Sequence, residues 1–198
     1  MQPDLLSLIL ILCFWILVIY FIQSLFSKKL IKINPKNLFA YCGALAIIGP
    51  IGEISINTVY TYALGTPLWI YQLFPIHHGY TSLFSFFIWP AYGFHVYLLH
   101  EKLNSYNFKN KDIVLATFVA FDAMILEVLL NISSILLFGK YVFFYFPPDI
   151  YHLTTLVVIP FYFLGGLVIV KTLKRFLKDP IFFGVMSFLI SAVVVFLN

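Results

Sequence analysis

Three acidic residues, Glu53, Asp122 and Glu127, stand inside stretches that are otherwise almost wholly apolar. A charge at bilayer depth costs roughly 2.5–3.5 kcal/mol on insertion scales, so each acid demands a partner, a cavity or a proton. Asn57 follows Glu53, and Asn131 follows Glu127, by the spacing that sets an amide one helical turn above a carboxylate on the same face. One turn below each acid is a small residue, Gly49 or Ala123, which lets a neighbouring helix approach. His77, His78 and His152 occur where apolar sequence resumes after aromatic loops, a position from which imidazoles would roof the two carboxylates.

Two carboxylates in one low-dielectric site cannot both ionise cheaply, so such a pair holds a shared proton and can serve as acid and base. The pattern therefore assigns Glu53 and Glu127 to acid/base work, Asn57 and Asn131 to orienting them, and His78 and His152 to the roof. Trp69, Tyr71, Trp89, Tyr92 and His77 would wall an apolar substrate pocket, where ring faces stabilise developing positive charge. Protonating a double bond, moving it or closing a ring in such a site needs no cofactor. Glu and His side chains also ligate metals, but neither HxxH nor HExxH spacing occurs, and no metal ligand is assigned. Asp122 lies roughly 140° around its helix from Glu127. Its expected partner is His95, in a structural pair.

The elements that must position these groups are membrane helices. Of the 198 residues, 62% are hydrophobic and 10% charged, and the mean hydropathy of +0.99 is more than a water-soluble core of this size would reach. Apolar stretches predict an all-α, polytopic membrane protein of one domain, 1–198, with six transmembrane helices at about 5–26, 38–64, 80–99, 113–138, 152–170 and 181–197. The first follows Met1-Gln2-Pro3-Asp4 without a basic start or a small-residue cleavage site, and reads as a retained helix. Pro50 is expected to kink the second helix, and Trp89-Pro90-Ala91-Tyr92-Gly93 and Pro160 with Gly165-Gly166 to interrupt the third and fifth.

The net charge of +4 resides in loops that alternate along the chain, so it reads as a topology signal; no nucleic-acid partner is expected. Lys28, Lys29, Lys32 and Lys36, then Lys102, Lys109 and Lys111, then Lys171, Lys174, Arg175 and Lys178 fall on one side, and only Lys140 on the other. The positive-inside rule then places both termini on the non-cytoplasmic side of an inner or cytoplasmic membrane. Cys13 and Cys42 lie at depths about 10 Å apart by helical rise, which argues against a disulfide.

Sliding the chain by 74 positions superposes Glu53 on Glu127, Asn57 on Asn131, Gly65 on Gly139, Tyr71 on Tyr145, His78 on His152 and Thr81 on Thr155. The offset predicts a parallel two-helix internal repeat, helices two and three matching four and five.

Three function classes accommodate this pattern. The first is a membrane-embedded enzyme of isomerase or cyclase type, acting on a lipid or isoprenoid-like apolar substrate in an outer-half pocket by carboxylate acid/base chemistry. The second is a small-solute channel or proton-coupled transporter. In size and six-helix plan the chain resembles small acid-gated urea and amide channels, and His77-His78 with Thr81-Ser82 echo them, but that pattern does not explain buried acids in helices two and four. The third is a non-catalytic membrane assembly protein. Expected partners are the lipid bilayer, the apolar small molecule and, through the apolar sixth helix with Ser187 and Ser191, another copy of the chain in a homo-oligomer.

Overall fold

The computed structural model describes residues 4–26 and 30–197. Met1-Gln2-Pro3, and Lys28 and Lys29 of the first basic loop, lie outside the described residues. Among the described residues the chain forms six α-helices: α1 Leu5–Phe26, α2 Pro35–Leu64, α3 Ser85–Asn104, α4 Lys111–Phe138, α5 Val158–Phe176 and α6 Pro180–Phe196. By length and composition α1, α2 and α4 can cross a membrane, while α6 is a shorter apolar helix. Apolar side chains such as Leu6, Phe14, Leu25, Ile125, Leu136, Phe182 and Leu189 stand exposed on helix surfaces, as a membrane-associated bundle requires.

Local chemistry sets the helix ends. Asn34 caps α2, its side chain accepting from the Lys36 and Asn37 amides ahead of Pro35 at the first helical position. Gly65 and Gly139 end α2 and α4 at φ of 77° and 69°, each returning its N–H to the carbonyl four residues back. α3 and α5 begin five or six residues later than the hydropathy boundary, at Ser85 and Val158. The preceding segments instead form short strands, turns and the positive-φ pairs His77–His78 and Tyr151–His152.

The expected interruptions of the third and fifth helices do not occur, and the second helix continues past the proline expected to kink it. α2 is helical through Pro50, α3 through Pro90, and α5 through Gly165 and Gly166. Pro160 falls in the first turn of α5, where an N–H has no intrahelical acceptor to lose.

α2 packs most extensively on α3 and α6, and α4 on α5; α1 lies against α3 and α4. Glycine permits the closest approaches. A Cβ at Gly93 would come within 2.7 Å of the Cys42 backbone, and one at Gly166 within 2.8 Å of Ala116 Cα. Gly43 of α2 faces Gly184 of α6 in the same way, at 2.9 Å. The two cysteines are free.

Two connections meet at one end of the bundle. Strand β1 (Trp69–Tyr71) follows α2, β4 (Phe143–Tyr145) follows α4, and the two pair antiparallel with Trp69 opposite Tyr145, Ile70 opposite Phe144 and Tyr71 opposite Phe143. Between them in sequence, β2 (Pro75–Ile76) pairs with β3 (Thr81–Ser82). Two apolar clusters fill the bundle. One lies under the ribbon around Trp69, Phe84, Phe143 and Tyr145, and one toward the basic end around Leu45, Val96, Leu115 and Ile169. Glu53 and Glu127 sit at the level between them.

Candidate functional site

Each carboxylate is held by three hydroxyls. Glu53, 6% exposed, accepts from Tyr71 Oη, from Thr81 Oγ1 at 2.5 Å and from Ser85 Oγ at 3.0 Å. Glu127 accepts from Tyr145 Oη at 2.6 Å, from Thr154 Oγ1 at 2.6 Å and from Tyr162 Oη. Hydrogen bonds to an ionised acceptor are among the stronger ones, and three together replace much of the water a carboxylate loses on burial.

The asparagines do not touch the acids. Asn57 Oδ1 accepts from the Leu68 and Trp69 amides at 2.9 and 3.2 Å, and its Nδ2 donates to the Tyr80 carbonyl at 3.4 Å. Asn131 Oδ1 accepts from the Val142 and Phe143 amides at 2.9 and 3.3 Å, and its Nδ2 donates to Phe143 and Leu153 carbonyls at 3.0 and 2.7 Å. Both side chains are wholly buried. Each amide therefore ties the start of the ribbon, and the chain re-entering the bundle, to the top of its own helix. Expected to orient the carboxylates, the two amides instead hold the loop that carries the tyrosine.

The hydrogen-bond correspondence holds at 74 residues through the ribbon, Tyr71 matching Tyr145, and at 73 beyond it. Thr81 is matched by Thr154, not by Thr155 as the uniform offset implied. The change falls after the paired histidine turns, where His77 and His78 have φ of 49° and 61°, and Tyr151 and His152 of 50° and 62°. Gly79, at φ 83°, is the additional residue in the first segment.

Those turns send the imidazoles away from the acids. His77 Nε2 lies 2.8 Å from the Val194 carbonyl on α6. His78 is exposed beside the Tyr80 ring. His152 Nδ1 lies 2.7 Å from the Tyr145 carbonyl, its ring stacked on Phe144 at 4.4 Å. The roof expected from these histidines is built instead by the tyrosine, threonine and serine hydroxyls, residue types too common in this chain to stand out by spacing.

Both carboxylates line one cavity of about 90 Å³, walled by Tyr71, Trp89, Tyr92, Phe143 and Tyr162 and covered by Leu12, Trp15, Ile16 and Ile19 of α1. A smaller cavity of about 70 Å³ lies on the α2–α5 side of Glu53, bordered by Trp69, Trp89, Tyr92 and Tyr162. Of the predicted wall residues, Tyr71, Trp89 and Tyr92 reach the larger cavity; Trp69 reaches only the smaller, its indole N–H donating to the Tyr80 carbonyl at 3.2 Å. Gly49 receives the Trp89 ring, a Cβ there falling 2.1 Å from the indole. The buried Trp89 N–H is close to Glu53 but makes no hydrogen bond of good geometry.

His95 and Asp122 pair as expected, Nε2 to Oδ2 at 3.1 Å. Gln23 of α1 joins them, its amide nitrogen 3.0 Å from His95 Nδ1. His95 also lines the larger cavity, which the sequence pattern did not indicate. Among the described residues no group of three or more His, Cys, Asp or Glu side chains could hold a metal ion. No family model matches the chain, and neither a curated protein nor a solved structure is detectably similar to it. The site itself is the ground for function.

Proposed function

We propose that this chain is a membrane-embedded enzyme that moves protons on a lipid or isoprenoid-like apolar substrate, with Glu53 and Glu127 as its acid and base. One observation carries the reading: two carboxylates from different helices, each in its own hydroxyl cage, open onto a single aromatic-walled cavity. In the reaction, a carboxylic acid donates its proton to a carbon–carbon double bond, whose π electrons form the new C–H bond and leave a carbocation. The facing carboxylate then removes a proton from an adjacent carbon, and the C–H electrons form the shifted double bond. Faces of Trp89, Tyr92 and Phe143 stabilise the cation between the two transfers. Afterwards a proton returns from base to acid through solvent, so no oxidant, reductant or cofactor is consumed.

The same reading takes six membrane crossings with both ends on the non-cytoplasmic side, supported by the basic residues at the bundle end opposite the ribbon. It takes α2–α3 and α4–α5 as copies of one parallel unit, supported by the recurring hydroxyl cages, asparagine ties, glycine caps and positive-φ turns. Antiparallel pairing centred on Ile70 and Phe144 is the register that a two-fold relation between the units produces.

Purified protein incubated in deuterated buffer with a total membrane-lipid extract tests the chemistry. Deuterium should enter a nonpolar unsaturated lipid and be lost in Glu53→Gln and Glu127→Gln, with thermal unfolding confirming that both variants are folded. Exchange unchanged in the two variants would remove the acid/base roles, and no exchange above a protein-free control would leave the second reading, a non-catalytic assembly protein, which the threefold hydrogen bonding of each carboxylate to protein hydroxyls favours.

A further inference from the structure

A groove of about 910 Å³ runs between α2, α5 and α6, from Ile56 and Phe161 near the carboxylate level down to Arg175 and Lys178 at the basic end. From Phe161 to Arg175 it covers about 21 Å of helix. Its walls are almost entirely aliphatic and aromatic. At its upper part it shares Gly52 and Gly165 with the 70 Å³ cavity that touches Glu53. A Cβ built at either glycine would meet nothing within 4 Å, so the missing side chains leave an opening between groove and cavity.

The corresponding place on the other side of the carboxylates is filled. Position 126, 74 beyond Gly52, is Leu, and position 92, 73 before Gly165, is Tyr; both border the larger cavity, and α1 covers it. The packing of the bundle therefore does not itself require small residues at this level. Gly52 and Gly165 do not serve close helix approach either, unlike Gly93 and Gly166, which abut backbone.

We propose that the α2–α5–α6 groove binds a lipid with an anionic headgroup, its head at Arg175 and Lys178 and its apolar tail passing between Gly52 and Gly165 to Glu53. Charge complementarity selects the occupant. Arg175 and Lys178 are exposed at the groove mouth, and the one acid there, Asp179, is engaged in capping α6 by accepting from the Phe182 amide at 3.2 Å. Lys174 is paired elsewhere, with Asp112 at 2.7 Å. The 90 and 70 Å³ cavities hold only a short branched segment of any lipid, so the rest of a long substrate must lie outside them, and this groove is the apolar continuation. The inference rests on the proposed acid/base reading for its purpose, but its test is one of binding.

The full chain in nanodiscs would be photolabelled with phosphatidylglycerol or phosphatidylcholine carrying a diazirine near the acyl terminus, and the labelled residues mapped by mass spectrometry. Phosphatidylglycerol should label Phe161 and its neighbours several-fold more than phosphatidylcholine. Arg175→Gln with Lys178→Gln should remove that preference. Gly52→Leu with Gly165→Tyr, which copies the residues of the other side, should abolish labelling at the Glu53 level. Neither glycine has a left-handed φ, and both replacements raise helix propensity, so the melting temperature should hold or rise. Equal labelling by both lipids, or deep labelling that persists in the glycine variant, overturns the proposal. Lipid labelling as expected, combined with deuterium exchange unaffected by Glu53→Gln and Glu127→Gln, would retain the lipid site and remove the acid/base reading.

Discussion

On the face between α3 and α4, the positions flanking the carboxylates carry Tyr92, His95, Asp122 and Leu126, and α1 lies across them. On the face between α2 and α5, the positions 73 or 74 residues away carry Gly165, Val168, Ile48 and Gly52, and an apolar groove runs past them. The carboxylates between these faces are caged alike, by a ribbon tyrosine, a threonine and one further hydroxyl. The two cages are thus alike, whereas the faces differ, one covered and polar, the other open and apolar. Function that needs a substrate to enter from one side and be protonated at depth requires that kind of difference.

The largest effect expected from breaking this arrangement is in the acids. If the two carboxylates divide acid and base between them, Glu53→Gln and Glu127→Gln should each slow deuterium incorporation by about 10²-fold or more. Loss in only one variant would make the near-equal cages functionally unequal.

The asparagine ties come next. Asn131→Ala leaves two amides and two carbonyls without their partner in a buried place, and should lower unfolding free energy in detergent by at least about 3 kcal/mol. Asn57→Ala removes three bonds, one fewer, and should cost less. Equal costs, measured by chemical denaturation, would show that the two ties are interchangeable.

Adjacent glycines sharpen the contrast between packing and passage. Gly166→Val drives a side chain into Ala116 and should destabilise by about 1–3 kcal/mol, while Gly165→Val, which meets open space, should be neutral or stabilising.

The smallest change is expected from converting the polar face into the apolar one. The double variant His95→Val, Asp122→Ile, which copies positions 168 and 48, should unfold within about 1 kcal/mol of the parent, because replacing both partners of a hydrogen-bonded pair by apolar groups is often nearly neutral. If deuterium incorporation falls in that variant while stability does not, the His95–Asp122 pair serves the cavity and not the packing.

Composition alone determined the helical, membrane-associated class, because no soluble core could conceal this much apolar surface. The rarity of Glu, Asn and His in apolar stretches singled out the two helices that bear the acids, and the His95–Asp122 pair followed from both being costly to bury alone. Hydropathy misjudged the starts of α3 and α5, since an apolar, aromatic ribbon has the same composition as a helix and differs only in its pairing. Only the tertiary structure decided what the polar groups do. Whether an asparagine faces a carboxylate or a loop amide, and whether a histidine turns inward or out, depends on backbone angles set by the ribbon joining the two halves. The hydroxyl cages lie beyond sequence reading for the same reason: Tyr71 and Ser85 reach Glu53, and Tyr162 reaches Glu127, from chain segments brought together only when the helices pack.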